Sequence, residues 1–269
     1  MENLSLILEG GGGKGAYHCG VLNALHEEGI VFNAVGGASI GAINGALYCQ
    51  GQMDAINNFW TNFNFEENSP VSSEVIEAIQ DKKIIKEVIK TKGKALIQGI
   101  KEFRGKVSHG IDLIMNEMDE NAVRSSEIDF GLTVFNLSKR KGFAYMKKDI
   151  PEGKIRNYVI ASANYPMFPA YKIDGQKYYD GGIYDNMPIN LLSDNGYKKM
   201  IVIRTNLLDK KPRKKVRDVT NKLFYIAPEE KLGIAMNFTK SAINRYMEIG
   251  YNQAKEIIKQ GDIMRFIGD

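Results

Sequence analysis

Apolar residues in this chain follow two rhythms. Short unbroken apolar runs alternate with longer stretches at helical spacing, the pattern of strands buried on both faces beneath packed helices. "LSLIL" (Leu4–Leu8) reads as a buried strand and Ala16–Glu28 as a helix ended by Gly29. "IVFNAV" gives a second strand, and the small-residue turn in "GGASIGAINGALYCQGQ" leads into a second helix. Strand, loop, helix, strand, turn, helix is the opening of an α/β protein with a mainly parallel sheet. From about Trp60 to Ser125 the strands disappear and the spacing turns helical, with Leu96, Ile100, Phe103 and Val107 along one face. "DFGLTVFNL" and "FAYMKKD" then read as a hairpin around "SKRKG", and Ile155–Asn164 as a helix. "YKIDGQKYYDGG" reads as a second hairpin, turned by Asp174-Gly175. "KMIVIRTNL" is a buried strand, "LFYIA" another, and Ser241–Lys259 a closing helix. The expectation is one α/β domain over residues 1–269 with a helical insertion at about 60–125.

Composition changes this picture little. At 269 residues with 43% hydrophobic and 25% charged positions, the chain can bury a full core. No window approaches the ~18 apolar residues of a membrane span, and the short apolar run before the glycines gives the expectation of no secretory signal. Cys19 and Cys49 both fall in apolar helical patterns, so a disulfide framework is not indicated. A soluble cytoplasmic protein is the expectation. Charge adds more. Lys82–Lys106 carries a net +7 and "KKPRKKVR" (Lys210–Arg217) a net +6, which leaves −9 for the rest of a chain whose total is +4. Two cationic segments in an otherwise acidic chain fit a solvated face or peripheral contact with an anionic membrane. Nucleic acid is disfavoured, because the second run lacks interleaved aromatics and no recognition module is visible.

Four consecutive glycines, Gly10 to Gly13, join the first strand to the first helix. Gly10, Gly12 and Gly15 match a dinucleotide fingerprint, but the second strand ends in Val35-Gly36-Gly37, with no acid to hold a ribose. Gly13-Lys14 is followed by Gly15 instead of Ser or Thr, so a phosphate-binding loop of the Walker type fails as well. Tight turning and close packing account for one or two of the glycines and not for four. Bare backbone amides at a helix N-terminus can also stabilise an oxyanion that appears during reaction. That use needs a nucleophile.

"GASIG" (Gly37–Gly41) supplies one. It matches G-x-S-x-G and stands between a strand and an apolar helix, where a sharp turn exposes Ser39. The Ile40 amide would then face the same oxyanion as the glycine loop. The plainer reading makes Ser39 a helix N-cap. The three histidines, His18, His26 and His109, all precede the region where an acyl-hydrolase histidine would be expected. A triad through His109 would be strained, and a carboxylate can serve as base if it is oriented and partly desolvated. Asp180, at the end of a strand and followed by Gly181 and Gly182, suits that role. Its local competitor Asp185 reads better as part of a turn into a helix, and Asp174 is taken by the hairpin.

"GGGGKG" (Gly10–Gly15), "GASIG" (Gly37–Gly41) and "DGG" (Asp180–Gly182), in that order, resemble the patatin-like phospholipases, acyl hydrolases with a Ser–Asp dyad. "SANYPMFPAYKIDGQKYYDGGIYDNMPI" is similar to that family's segment around the aspartate. The resemblance spans Leu4–Gln50 and Ala161–Leu208 and is thin across Trp60–Ser125 and after Asp209. It implies a three-layer α/β/α fold, Ser39 as nucleophile, Asp180 as base and Gly11, Gly12 and Gly13 as oxyanion donors. Lys14 stands where the family has a basic residue, open between structural pairing and phosphate binding. The implied activity is hydrolysis of a phospholipid, lysophospholipid or other lipid ester without metal or cofactor. An acyltransferase of the same fold and a lipid-binding module with a dormant site are the alternatives.

Overall fold

The structure, a computed structural model, describes residues 3–62, 118–166, 168–209 and 214–268. Most of the expected helical insertion, with the basic segment Lys82–Lys106 and His109, lies outside those residues, as do positions 210–213 of the second basic run. In chain order the elements are β1 (Leu4–Leu8), α1 (Gly15–Glu27), β2 (Ala34–Gly37), α2 (Ile40–Asn62) and α3 (Glu120–Ser125). Next come β3 (Asp129–Asn136), β4 (Lys141–Met146), α4 (Ile155–Ala163), β5 (Tyr171–Ile173) and β6 (Gln176–Asp180). The last are α5 (Ile189–Asp194), β7 (Lys199–Ile203), β8 (Lys222–Ile226), α6 (Lys240–Lys259) and α7 (Asp262–Gly268).

The eight strands form one sheet in the order β5-β6-β3-β2-β1-β7-β8, with β4 also paired to β3. Strands β3, β2, β1, β7 and β8 run parallel, while β4, β5 and β6 are antiparallel additions at one side. Strand β1 is buried throughout, as its unbroken apolar run predicts. Leu4, Leu6 and Leu8 join the core under α1, α2 and α6, and Ile7 joins a smaller cluster with Met200, Val202 and the α5 residues Ile189 and Leu192. Helices on both faces of a mainly parallel sheet give the three-layer α/β/α arrangement.

The hairpin turn falls at Asp174-Gly175, both at positive φ (47° and 75°), as a tight two-residue connection requires. Strand β2 begins later than the apolar run Ile30–Val35 suggests. Its register against β1 runs from Ser5↔Ala34 to Leu8↔Gly37, so two glycines that read as a turn complete the strand. The shift places the end of β2 directly before Ser39.

Candidate active site

Three chain turns meet at the carboxyl edge of the parallel strands. The glycine loop leaves β1, the Ser39 turn leaves β2, and the Asp180 turn leaves β6. Strand β3 aligns the last two. Gly37 pairs with Leu132 and Asp180 pairs with Val134, two residues further along the same strand.

Ser39 has φ 55°, a left-handed conformation that a serine adopts only when its surroundings impose it. The turn is held by the Gly41 amide donating to Ala38 O (2.8 Å), the Ala42 amide donating to Ser39 O (2.9 Å), and the Ser39 amide donating to Ser162 Oγ on α4 (3.0 Å). A side chain at Gly37 would collide with the Gly41 backbone, and one at Gly41 with Leu8 O, so both motif glycines are set by close approach. Asp180 is 6% exposed, and its Oδ1 accepts from the Gly182 amide at 2.7 Å. Its own amide donates to Asn164 O at 2.8 Å. Gly181 lies so close to the Thr133 carbonyl that no side chain fits there.

All four loop glycines are explained by close packing, which corrects the expectation that turning and packing cover only one or two of them. A methyl on Gly10 would strike Asn186 Oδ1, on Gly11 Thr205, on Gly12 the Ala235 carbonyl and on Gly13 the Asn237 carbonyl. The same methyl on Gly10 would stand 3.1 Å from Ser39 Cβ, so this loop runs beside the serine. Its amides are not equivalent. Gly10 donates to Asn186 O (3.1 Å), Gly13 to Ala235 O (2.7 Å), Lys14 to Gly11 O (3.4 Å), and Gly15 to the Gly12 and Gly13 carbonyls.

Beneath the loop lies a polar cluster that the sequence reading missed. Glu9, 4% exposed, accepts from the Thr205 amide (2.8 Å), the Asn206 amide (3.2 Å) and Asn206 Nδ2 (3.1 Å). Arg204 Nε lies 3.5 Å from Glu9 Oε2, and Asn186 Nδ2 bonds both Glu9 Oε1 (3.4 Å) and Gly10 O (3.1 Å). Lys14 Nζ joins the cluster by donating to Asn206 Oδ1 at 3.3 Å. The signal for Glu9 was a charged residue ending an otherwise apolar strand. Asn186 Oδ1 also lies where a methyl on Gly182 would fall, so this one side chain touches both the glycine loop and the aspartate turn.

His18 is fully buried behind the loop, and burial lowers its pKa to about 3, so the ring is neutral. Asn44 Nδ2 donates to Gly15 O (3.0 Å) and contacts His18 Nδ1 (3.2 Å), while Asn44 Oδ1 accepts from Trp60 Nε1 (3.1 Å). That assigns the His18 proton to Nε2 and gives the ring a packing role. His26 is exposed at the opposite edge, beside a cavity of about 510 Å³ lined in part by Cys49, Gln52 and Ser126. Asp185, the competing carboxylate, is 5% exposed and bonded to the Met187 amide. Burial raises its pKa to about 6 against the pull of that bond and of the Lys214 and Arg217 charges. Of the second basic run, Lys214 lies over the Tyr184 ring (3.3 Å) and Arg217 pairs with Asp194, so this part packs on the aspartate turn and α5.

A sheet whose carboxyl edge gathers a glycine loop, a strained serine and a buried aspartate defines an α/β protein of the patatin type. The patatin-like phospholipase family model matches residues 6–193, and the chain belongs to that family. This is a family of carboxylic ester hydrolases. A patatin-like phospholipase domain-containing protein of Caenorhabditis elegans, ZK370.4, is 51% identical over 53 residues, which are 20% of this chain and 4% of that protein. The neuropathy target esterase sws of Drosophila persimilis is 53% identical over 48 residues, 18% of this chain and 3% of its own length. The chain thus spans only a small part of these relatives. Among solved structures, VipD from Legionella pneumophila superposes with a TM-score of 0.58 at 17% identity, covering 97% of this chain and 67% of VipD, a likeness of fold.

Proposed function

We propose that this protein is a serine acyl-ester hydrolase of the phospholipase A or lysophospholipase kind, with Ser39 as nucleophile and Asp180 as base. The observation that carries the reading is the alignment along β3, which brings the ends of β2 and β6 to neighbouring positions beside the glycine loop. Ser39 Oγ attacks the ester carbonyl while its proton passes to Asp180. The alcohol leaves with that proton, and water activated by Asp180 then releases the fatty acid. The Gly11 and Gly12 amides, with that of Ile40 at the start of α2, receive the oxyanion. Gly13 supports them, since its own amide is given to Ala235. Loss of one such donor costs roughly 3–4 kcal/mol of transition-state stabilisation.

Lipid esters suit the surface around this edge. Leu137, Tyr165 and Leu208 are exposed where β3, α4 and β7 end, and Lys139, Arg140 and Lys141 form an exposed cationic hairpin tip. Peripheral contact with an anionic membrane is therefore part of the reading. The test is release of fatty acid from a panel of phospholipids, lysophospholipids and short-chain esters. Ser39→Ala and Asp180→Asn should each fold and lose activity. Near-normal turnover by folded Asp180→Asn would refute the dyad, and acyl transfer to an added alcohol outpacing hydrolysis would make the protein an acyltransferase.

A further inference from the structure

Ser39 follows β2 and Asp180 ends β6, two strands that each pair with β3 and not with each other. Their lateral spacing comes from β3, yet both lie beyond or at the last paired position, where a strand end can pivot. One further element reaches both. At the end of α4, Ser162 Oγ accepts the Ser39 amide (3.0 Å), and two residues later Asn164 O accepts the Asp180 amide (2.8 Å). We propose that the Ser162–Asn164 turn is a positioning clasp that fixes the spacing of the nucleophile and the base. The proposal rests on the acyl-hydrolase reading above.

The clasp is rigid on its own side. Ser162 is fully buried, so no water replaces its oxygen. Asn164 is 7% exposed and spends both side-chain donors on holding its surroundings, to Pro169 O (3.1 Å) and Tyr178 O (3.2 Å). Tyr178 lies two residues before Asp180 on β6, so Asn164 grips that strand through its side chain and its carbonyl. On the other side Ser39 is held at φ 55°, and its amide precedes α2, where no helical carbonyl can accept it. Ser162 supplies that acceptor and so opposes relaxation of the strained turn. Neither residue was marked by the sequence beyond the "SAN" of the segment leading to the hairpin. Both act through the dyad.

The experiment is the rate of covalent labelling by a fluorophosphonate, read by intact-mass spectrometry across pH, beside thermal melts of each variant. Labelling forms the Ser39 Oγ–P bond, breaks P–F, releases fluoride and passes the hydroxyl proton to Asp180. In Ser162→Ala, assayed well below its melting temperature, labelling should slow about 10- to 100-fold, the effect of misplacing a reacting group by an ångström or less. The midpoint of its pH profile should not move. Asn164→Asp, which turns two donors toward carbonyls into acceptors, should slow labelling and shift that midpoint, because it displaces the base. A merely structural role would lower both melting temperatures and leave labelling of the folded protein at the wild-type rate, which would overturn the clasp. Should Ser162→Ala not fold, Ser162→Thr keeps the acceptor oxygen. Labelling within about threefold of wild type supports the clasp, and a tenfold loss with an intact melt overturns it. Absence of any Ser39 adduct in the wild type would overturn the acyl-hydrolase reading first.

Discussion

Glu9 is a buried carboxylate at the foot of the glycine loop, and its replacement by glutamine tests what holds that loop. The substitution keeps shape and removes charge. Arg204, with its side chain 3% exposed, keeps its bond to Leu208 O (3.1 Å) but loses the anion at 3.5 Å, and breaking a buried pair by removing one charge costs about 3–5 kcal/mol. Hydrogen bonds add to this. Glu9 Oε2 faces two backbone amides that cannot turn, so the new NH2 must face the Asn206 and Asn186 side chains. Asn186 can oblige only by giving up its bond to Gly10 O. At roughly 2–4 °C per kcal/mol for a protein of this size, Glu9→Gln should melt roughly 6–20 °C below wild type. Adding Arg204→Met removes the guanidinium that has lost its carboxylate and should restore at least about half of the loss, because a buried ion pair replaced by apolar groups is often neutral. Differential scanning calorimetry of the three proteins decides. A Glu9→Gln melt within about 2 °C of wild type would refute the reasoning.

The glycine loop and the second buried carboxylate give further expectations. Gly12→Ala places a methyl against the Ala235 carbonyl at φ 59°, so the variant should lose about 2–4 kcal/mol and label at least tenfold more slowly; wild-type labelling would show that the loop's shape is not needed. The Asp185 carboxyl is raised to about 6 by burial, so its contribution to stability is full below its unfolded pKa and lost as the pH rises through about 6. Asp185→Asn should therefore gain on the order of 3 kcal/mol over wild type at about pH 8 relative to about pH 4, and equal differences at both pH values would contradict the assignment.

Much of this fold could be read from short-range pattern. β1 announces itself as five apolar or small residues, and the Asp174-Gly175 turn and α6 fall within a residue of where periodicity puts them. The candidate site was legible where a motif is local, as at Ser39 and Asp180, each marked by glycines that a tight turn demands. What stayed hidden depends on contacts between distant segments. Glu9 finds its partners nearly 200 residues away, and Ser162 meets Ser39 across 123 residues. Neither spacing leaves a periodic trace. The glycine loop misled for the same reason: its glycines face Asn186, Thr205, Ala235 and Asn237, a surface that only the folded chain assembles. Gly20 and Gly250, where α1 and α6 cross with backbone against backbone, were equally silent in the sequence.

The most direct measurement is the site and stoichiometry of a serine-directed phosphonate, mapped by peptide mass spectrometry in wild type and in Asp180→Asn. One adduct per chain, on Ser39, with formation slowed at least about a hundredfold in folded Asp180→Asn, is the predicted result. An adduct on another residue, or Ser39 labelled equally fast without the Asp180 carboxylate, would contradict a Ser39–Asp180 dyad.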